Sequence, residues 1–202
     1  MTKLILATRN VHKARELKTL ISDLDIDVLT LDDISSEIVL REDGNTFEAN
    51  AFQKAHIVYQ STKLLSLADD SGLEVFYLNG RPGVFSARYS GENATDEKNN
   101  QKLLTEMRGV AARRRRAQFR SVLALTGDGI EEMTVGICPG MLGETPRGIN
   151  GFGYDPIFIP DGFAKTYAEL TAEEKNLISH RARSFAKMKE VLRLKLGQIN
   201  AR

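Results

Sequence analysis

The sequence predicts an α/β fold, and three observations carry that prediction. Strand-like and helix-like periodicities alternate over the first sixty residues. The chain has 202 residues, room for one domain or two small lobes and enough to bury a core without disulfides or structural metal. Its hydrophobic fraction, 42%, is ordinary for a globular protein and too high for a disordered one.

The elements follow in order. Residues 3–8 (KLILAT) are a short apolar run, read as a buried strand. Over residues 11–24, Val11, Ala14, Leu17, Ile21 and Leu24 share one face, which makes an amphipathic helix. Residues 26–31 are a second strand. Residues 46–60 are helical, with Thr46 as N-cap and a stripe of Phe47, Ala51, Ala55 and Val58. Strands at 64–69 and 73–78 flank Asp70-Ser71-Gly72, whose composition is that of a tight turn, and Asn79-Gly80 closes the second. A helix over 95–107 opens with Thr95 and two acids. Residues 117–126 and 132–138 read as a hairpin across Thr126-Gly127-Asp128-Gly129. Residues 139–163 hold four of the five prolines and six of the sixteen glycines, a structured loop region around a short strand at Ile157 to Ile159. Thr171 to Glu174 form a capping-box pattern, and one helical stripe follows through Ile178, Ala182, Phe185, Met188 and Leu192.

Composition narrows the function. Lysine plus arginine number 28 and aspartate plus glutamate 27, so the net charge is +1, unlike a strongly basic nucleic-acid protein or an acidic tail. The single cysteine, Cys138, excludes an internal disulfide framework and a cysteine zinc finger, and reads as a small core residue. The N-terminus offers four consecutive apolar residues, Leu4 to Ala7, against the roughly 7–15 of a secretory core. No apolar run approaches the roughly 18 residues that span a bilayer. The expectation is a soluble cytoplasmic protein with no membrane association and no stable nucleic-acid partner.

Five places could carry chemistry. At Thr8-Arg9-Asn10-Val11-His12-Lys13 a strand gives way to a helix, whose first peptide N–H groups suit phosphate; Thr8 and Asn10 add side-chain hydrogen bonds and Lys13 a point charge. A helix cap without ligand accounts for the same residues equally well. At Asp69-Asp70 two carboxylates leave an apolar strand. Strand alternation sends them to opposite faces, and one could bind Mg²⁺ or orient water; an Asx-turn is the plainer alternative. Gly151-Phe152-Gly153-Tyr154-Asp155 offers an aromatic face for a planar base and an acceptor for its edge, or else a rigid turn. Lys175, His180 and Arg181 could meet a carbonyl oxygen or phosphate, or belong to a solvated helix face; His12 and His56 read as surface or packing residues. The run Arg113 to Arg116 is an anion patch or, more simply, a solvated mobile loop. Singly these decide nothing. Together they describe a nucleotide site with a divalent metal.

The segments LATRNVHKARELK, EDGNTFEANAFQKA, LADDSGLEV, RPGVFSARYSGENATDEKNNQKLL, PRGINGFGYDPIF and ELTAEEKNLISHRARS follow one another over essentially the whole chain. In that order and spacing the sequence closely resembles the inosine triphosphate pyrophosphatase family, the dITP/XTP pyrophosphatases. The resemblance implies a two-lobed α/β fold, with a long mixed β-sheet flanked by helices, the active-site cleft between the lobes and residues 1–202 acting as one domain. It implies Mg²⁺-dependent hydrolysis of ITP, dITP and XTP to the monophosphate and pyrophosphate, cleansing the nucleotide pool, in a homodimer with one or more divalent ions per subunit.

By the same resemblance, Thr8 to Lys13 and Lys54 meet the triphosphate. Glu42 and Asp70 are the metal-linked acids, Asp70 is the proton acceptor for the attacking water, and Asp69 supports the metal site. Ser71 touches substrate, Phe152, Gly153, Tyr154 and Asp155 form the base-binding loop, and Lys175, His180 and Arg181 complete the nucleotide contacts, the last two near the 6-oxo group. Arg88 in the matched SARYSG stretch is read as structural. Many relatives carry glycine where this chain has Arg9, and often at His12; the tetra-arginine run lies outside the motif. Two other readings stay open: a nucleic-acid or nucleotide-binding module without hydrolysis that uses the arginine run, and a pyrophosphatase of pyrimidine nucleotides.

Overall fold

A computed structural model describes residues 2–34 and 37–200. Met1, where the reading of the N-terminus began, and Ala201–Arg202 at the end of the expected domain lie outside the described residues. The strands are β1 (Thr2–Leu6), β2 (Ile26–Thr30), β3 (Leu65–Val75), β4 (Arg116–Gly127), β5 (Ile130–Leu142) and β6 (Phe158–Pro160). The helices are α1 (Val11–Ile21), α2 (Phe47–Thr62), α3 (Asp96–Glu106), α4 (Ala172–Ile178) and α5 (His180–Asn200). The strands hydrogen-bond in the order β2-β1-β3-β4-β5-β6. β1 runs parallel to β2 and β3, whereas β6 is antiparallel to β5. β4 and β5 are neighbours joined by two residues, Asp128-Gly129, a connection that only an antiparallel pair allows. The sheet is therefore mixed, and the α/β class holds.

The chain divides into two compact units. The first comprises residues up to Asp70, Ser121–Gly136 and those from Arg181 onward; the second comprises Ser71–Arg120 and Ile137–His180. In the first unit, Leu4 and Leu6 of β1, Leu17 and Ile21 of α1, Leu123 and Leu125 of β4 and Phe185, Met188 and Leu192 of α5 form one apolar core. The helical spacing of the α1 and α5 residues is what brings them to one face. In the second unit, Leu73 and Val75 of β3, Leu103 and Met107 at the end of α3, Phe119 of β4 and Phe158 and Tyr167 form another.

Four local expectations change. The turn at Asp70-Ser71-Gly72 does not form, and β3 runs straight through it. Gly72 serves close approach instead: a Cβ there would lie 2.4 Å from Ser86 Oγ and 2.5 Å from the Gly83 carbonyl oxygen. The strand expected to reach residue 78 ends at Val75 and passes into a 3₁₀ turn over Phe76–Leu78. The single C-terminal helix is two, because Ser179 is extended (φ −66°, ψ 158°) and separates α4 from α5. The arginine run is a solvated segment only in its first half: Arg113 and Arg114 are exposed in a 3₁₀ turn over Ala112–Arg114, whereas the second half is engaged. Arg115 is buried, donating to the carbonyls of Leu142 (3.0 Å), Met107 (2.8 Å) and Gly143 (2.6 Å), and Arg116 grips Asp161 through two bonds of 2.6 and 2.8 Å. Among the described residues no helix is long and apolar enough to cross a membrane.

Candidate active site

The β1–α1 junction caps itself. Thr8 Oγ1 accepts the Asn10 N–H (3.1 Å), and Asn10 Oδ1 accepts the N–H groups of His12 (3.0 Å) and Lys13 (3.1 Å). Those two peptide N–H groups therefore already have a side-chain acceptor, and the capping alternative describes them. Arg9 turns to Asp32 (3.0 Å) and to the Ile38 carbonyl (3.0 Å). Thr8, Arg9, Asn10 and the exposed Val11 line a cavity of about 360 Å³ with Thr30 and Asp32.

α2 carries the next group. Its buried face holds the expected stripe of Phe47, Ala51, Ala55 and Val58, but Asn50 and Lys54 lie on it too, one turn apart. A buried ammonium is costly unless it is paired. Lys54 Nζ is paired three ways: with Glu42 Oε1 (2.6 Å), Asp70 Oδ1 (3.2 Å) and the Asp69 carbonyl (2.8 Å). Asn50 donates to the other Asp70 oxygen at 3.1 Å and accepts from the Gly44 N–H at 2.8 Å, which ties the Glu42 loop to α2.

Burial is the largest single influence on Lys54 and acts downward, but Asp70, Glu42 and Asp69 together carry its pKa above the ordinary value. Asp70 is raised, first by burial and also by Glu42, with Lys54, Lys13 and Asn50 opposing. A carboxylate held above its usual range is a better proton acceptor than an exposed one.

Asp69, the neighbour of Asp70 in β3, points elsewhere, as strand alternation requires. It is wholly buried, with Lys13 Nζ at 2.9 Å and Arg181 Nε at 3.2 Å from one oxygen and Ser121 Oγ at 2.8 Å from the other. Arg181 also pairs with Glu16 at 2.6 Å. Ser121 Oγ lies 2.9 Å from Ser184 Oγ, and the Ser184 carbonyl accepts from Thr134 Oγ1 (2.8 Å). Burial alone would raise Asp69, yet Lys13 and Arg181 hold it far below the carboxylate range. Burial lowers Lys13, with Asp69 opposing. Asp69 thus ties Lys13 and Arg181 together through one oxygen.

In the second unit, the loop after Gly151 is pinned at each step. A Cβ on Gly151 (φ +77°) would fall 2.0 Å from Asp155 Oδ2, so only glycine leaves that carboxylate its place. The same oxygen accepts the Phe152 N–H (2.9 Å) and Lys175 Nζ (2.6 Å). The Lys175 ammonium sits 4.9 Å from the Phe152 ring centre, within cation–π range. Tyr154 is buried and donates to the Ser86 carbonyl at 2.9 Å. His180 stacks on Phe119 with centroids 4.7 Å apart and planes 9° from parallel. Ser71 is half-buried in β3.

The first unit therefore gathers Lys13, Glu42, Lys54, Asp69, Asp70 and Arg181, and the second gathers Phe152, Asp155 and Lys175. The model of the Ham1 family matches residues 4–191. This chain belongs to the Ham1 family. It is 44% identical over 200 residues to a Clostridium perfringens protein named dITP/XTP pyrophosphatase, covering 96% of this chain and 98% of that one. A Bacillus subtilis protein of the same name is 45% identical, over 95% of this chain and 98% of its own. The solved structure of a HAM1 protein from Coxiella burnetii is similar with a TM-score of 0.87 at 40% identity, covering 95% of this chain and 98% of that one.

Several residues that build this Ham1-family site escape a reading for motifs. Asn50 could have been found as a polar residue on an otherwise apolar helical stripe, one turn from Lys54. Ser121 and Ser184 give no such signal, because a buried hydroxyl is common in any core. Glu16 reads as one more charge on the α1 surface until Arg181 is seen to reach it.

Proposed function

We propose that this protein hydrolyses the non-standard purine nucleoside triphosphates ITP, dITP and XTP to the monophosphate and pyrophosphate with Mg²⁺, removing them before they enter DNA or RNA. The observation that carries the reading is the meeting of Glu42 and Asp70 on one ammonium, Lys54, within a family whose relatives are named dITP/XTP pyrophosphatases.

The donor set suits the metal. Glu42 and Asp70 each bring an oxygen to Lys54 Nζ, so the two carboxylates are close enough together that both would reach one small cation. Mg²⁺ is a hard cation that prefers such oxygens and takes one or two carboxylates together with substrate phosphates. Among the described residues no three His, Cys, Asp or Glu side chains gather into a metal site of their own. Glu42 and Asp70 would hold the ion jointly with the triphosphate, while Asp69 anchors Lys13 and Arg181. When bound, Mg²⁺ shields phosphate charge and polarises the anhydride.

The chain's own residues do the rest. Asp70 accepts the proton of a water that attacks the α-phosphorus; the bond to the bridging oxygen breaks and pyrophosphate leaves with the electron pair. Lys54 and Lys13, with Thr8 to His12 alongside, offset phosphate charge. In the second unit, Phe152 offers its ring to the purine, Gly153, Tyr154 and Asp155 hold the loop, and Ser71 adds a contact. Lys175 adds a nucleotide contact, and His180 and Arg181 present donors to a 6-oxo group. Adenine has a donor at that position, so two donors would face each other unpaired and adenine is disfavoured.

The same reading makes residues 1–202 one catalytic domain and the molecule a cytoplasmic homodimer, which light scattering of the purified protein would test for mass. The function is tested by a product assay across a nucleotide panel. ITP with Mg²⁺ yields IMP and pyrophosphate while ATP stays largely intact. Orthophosphate as first product, or faster turnover of dUTP, would overturn the reading.

A further inference from the structure

The tandem asparagines of α3 have no role in the chemistry above, yet both are buried in a helix that is otherwise strongly polar. Buried amides in a helix are retained when their hydrogen bonds go to something specific. Asn99 accepts the Ser90 N–H (2.7 Å) and donates to the carbonyls of Ser86 (3.3 Å) and Ala87 (3.2 Å), which fixes the segment preceding α3. Asn100 Nδ2 donates to the Gly153 carbonyl at 2.7 Å and to the Asp96 carbonyl at 2.9 Å. One turn earlier, Asp96 Oδ2 accepts the Gly153 N–H at 2.6 Å. Both polar groups of a single loop residue are thus gripped by two α3 side chains four positions apart, the spacing that puts them on one helical face.

We propose that Asp96 and Asn100 are positioning residues that set the Phe152 ring for the base, and so set affinity for the purine without entering the chemistry. This rests on the reading of the Phe152 loop as the base-reading loop. Phe152 is bonded to the clamped residue on one side and to Gly151 on the other. Without the clamp, the loop keeps the Asp155 and Lys175 contacts but loses both anchors of its next peptide groups. A ring that must be ordered on binding costs affinity, which pre-organisation avoids.

The test is steady-state kinetics with ITP and Mg²⁺ on the wild type, Asn100→Ala, Asp96→Ala and Asp96→Asn, with inhibition by inorganic tripolyphosphate as a probe of the phosphate end. Loss of one such hydrogen bond corresponds to roughly a ten-fold change. The alanine variants are expected to raise KM for ITP by that factor, with kcat within about two-fold and the tripolyphosphate inhibition constant unchanged. Asp96→Asn keeps an oxygen acceptor for the Gly153 N–H and should stay near wild type. Unchanged KM in both alanine variants would overturn the inference, and so would KM and the tripolyphosphate constant rising together, as general damage to the fold would give. Failure of the wild type to hydrolyse ITP would instead remove the base-loop reading and this inference with it.

Discussion

Asp69 and Asp70 are consecutive in β3, yet they belong to different cations: Asp69 holds Lys13 at 2.9 Å and Arg181 at 3.2 Å, whereas Asp70 faces Lys54 at 3.2 Å. The alternation of a strand separates two chemically identical side chains into two roles. One is a fully buried anchor; the other, raised above its usual range, is the candidate proton acceptor.

Asp70→Asn should therefore remove turnover and leave the fold. Loss of a general base costs about 10²–10⁴ in rate. Single-turnover hydrolysis of ITP measures it, with circular dichroism as control. Near-wild-type turnover in the folded variant would take the proton acceptor elsewhere.

Asp69→Asn should instead be a stability variant. It leaves the partly buried Lys13 and the buried Arg181 without their shared carboxylate, and breaking a buried pair costs about 3–5 kcal/mol. Urea unfolding measures the difference.

The same carboxylate sets an acid limit. The folded pKa of Asp69 lies below its unfolded value, so its contribution to stability is fully present above about pH 4 and is lost as pH falls from there toward the folded value. Urea midpoints taken between pH 5 and 3 should fall more steeply for the wild type than for Asp69→Asn. Equal slopes would mean that Asp69 is not held as an ion.

Much of this was legible in the sequence. The caps at Asn10, Thr46, Thr95 and Thr171 form where short polar side chains precede periodic apolar residues, because a helix start has orphan donors to satisfy wherever it lies. The turn expected at Asp70-Ser71-Gly72 fails for a different reason. Gly72 answers to Ser86 and Gly83, residues eleven to fourteen positions away, and local composition carries no trace of that contact. Arg115 and Arg116 likewise read as solvated charge because their acceptors lie on distant segments of the chain. The break at Ser179 is also silent, since apolar periodicity continues across it in register. Asp70, Glu42 and Lys54 could be named through the resemblance. Their partition from Asp69 required the strand.

Arg115 provides a further test of the structure. Its guanidinium saturates three backbone carbonyls. Arg115→Met should destabilise the protein by at least about 1–3 kcal/mol, since buried acceptors are left without donors. Arg115→Lys should recover only part of the loss, because an ammonium cannot reproduce the planar fork. A neutral Met variant in thermal unfolding would contradict the buried placement.

Gly72→Ala should also destabilise, by about 1–3 kcal/mol or more, because the added methyl meets a backbone carbonyl that cannot yield as a side chain would. Thermal unfolding decides it, and an unchanged midpoint would mean that the Ser86 segment does not pack against β3 in this way.

The most direct test of the central claim follows the oxygen of water. ITP is turned over in ¹⁸O-labelled water and the products are separated by mass. Attack at the α-phosphorus predicts one labelled oxygen in IMP and none in pyrophosphate. Label in pyrophosphate, or in released orthophosphate, would contradict the account.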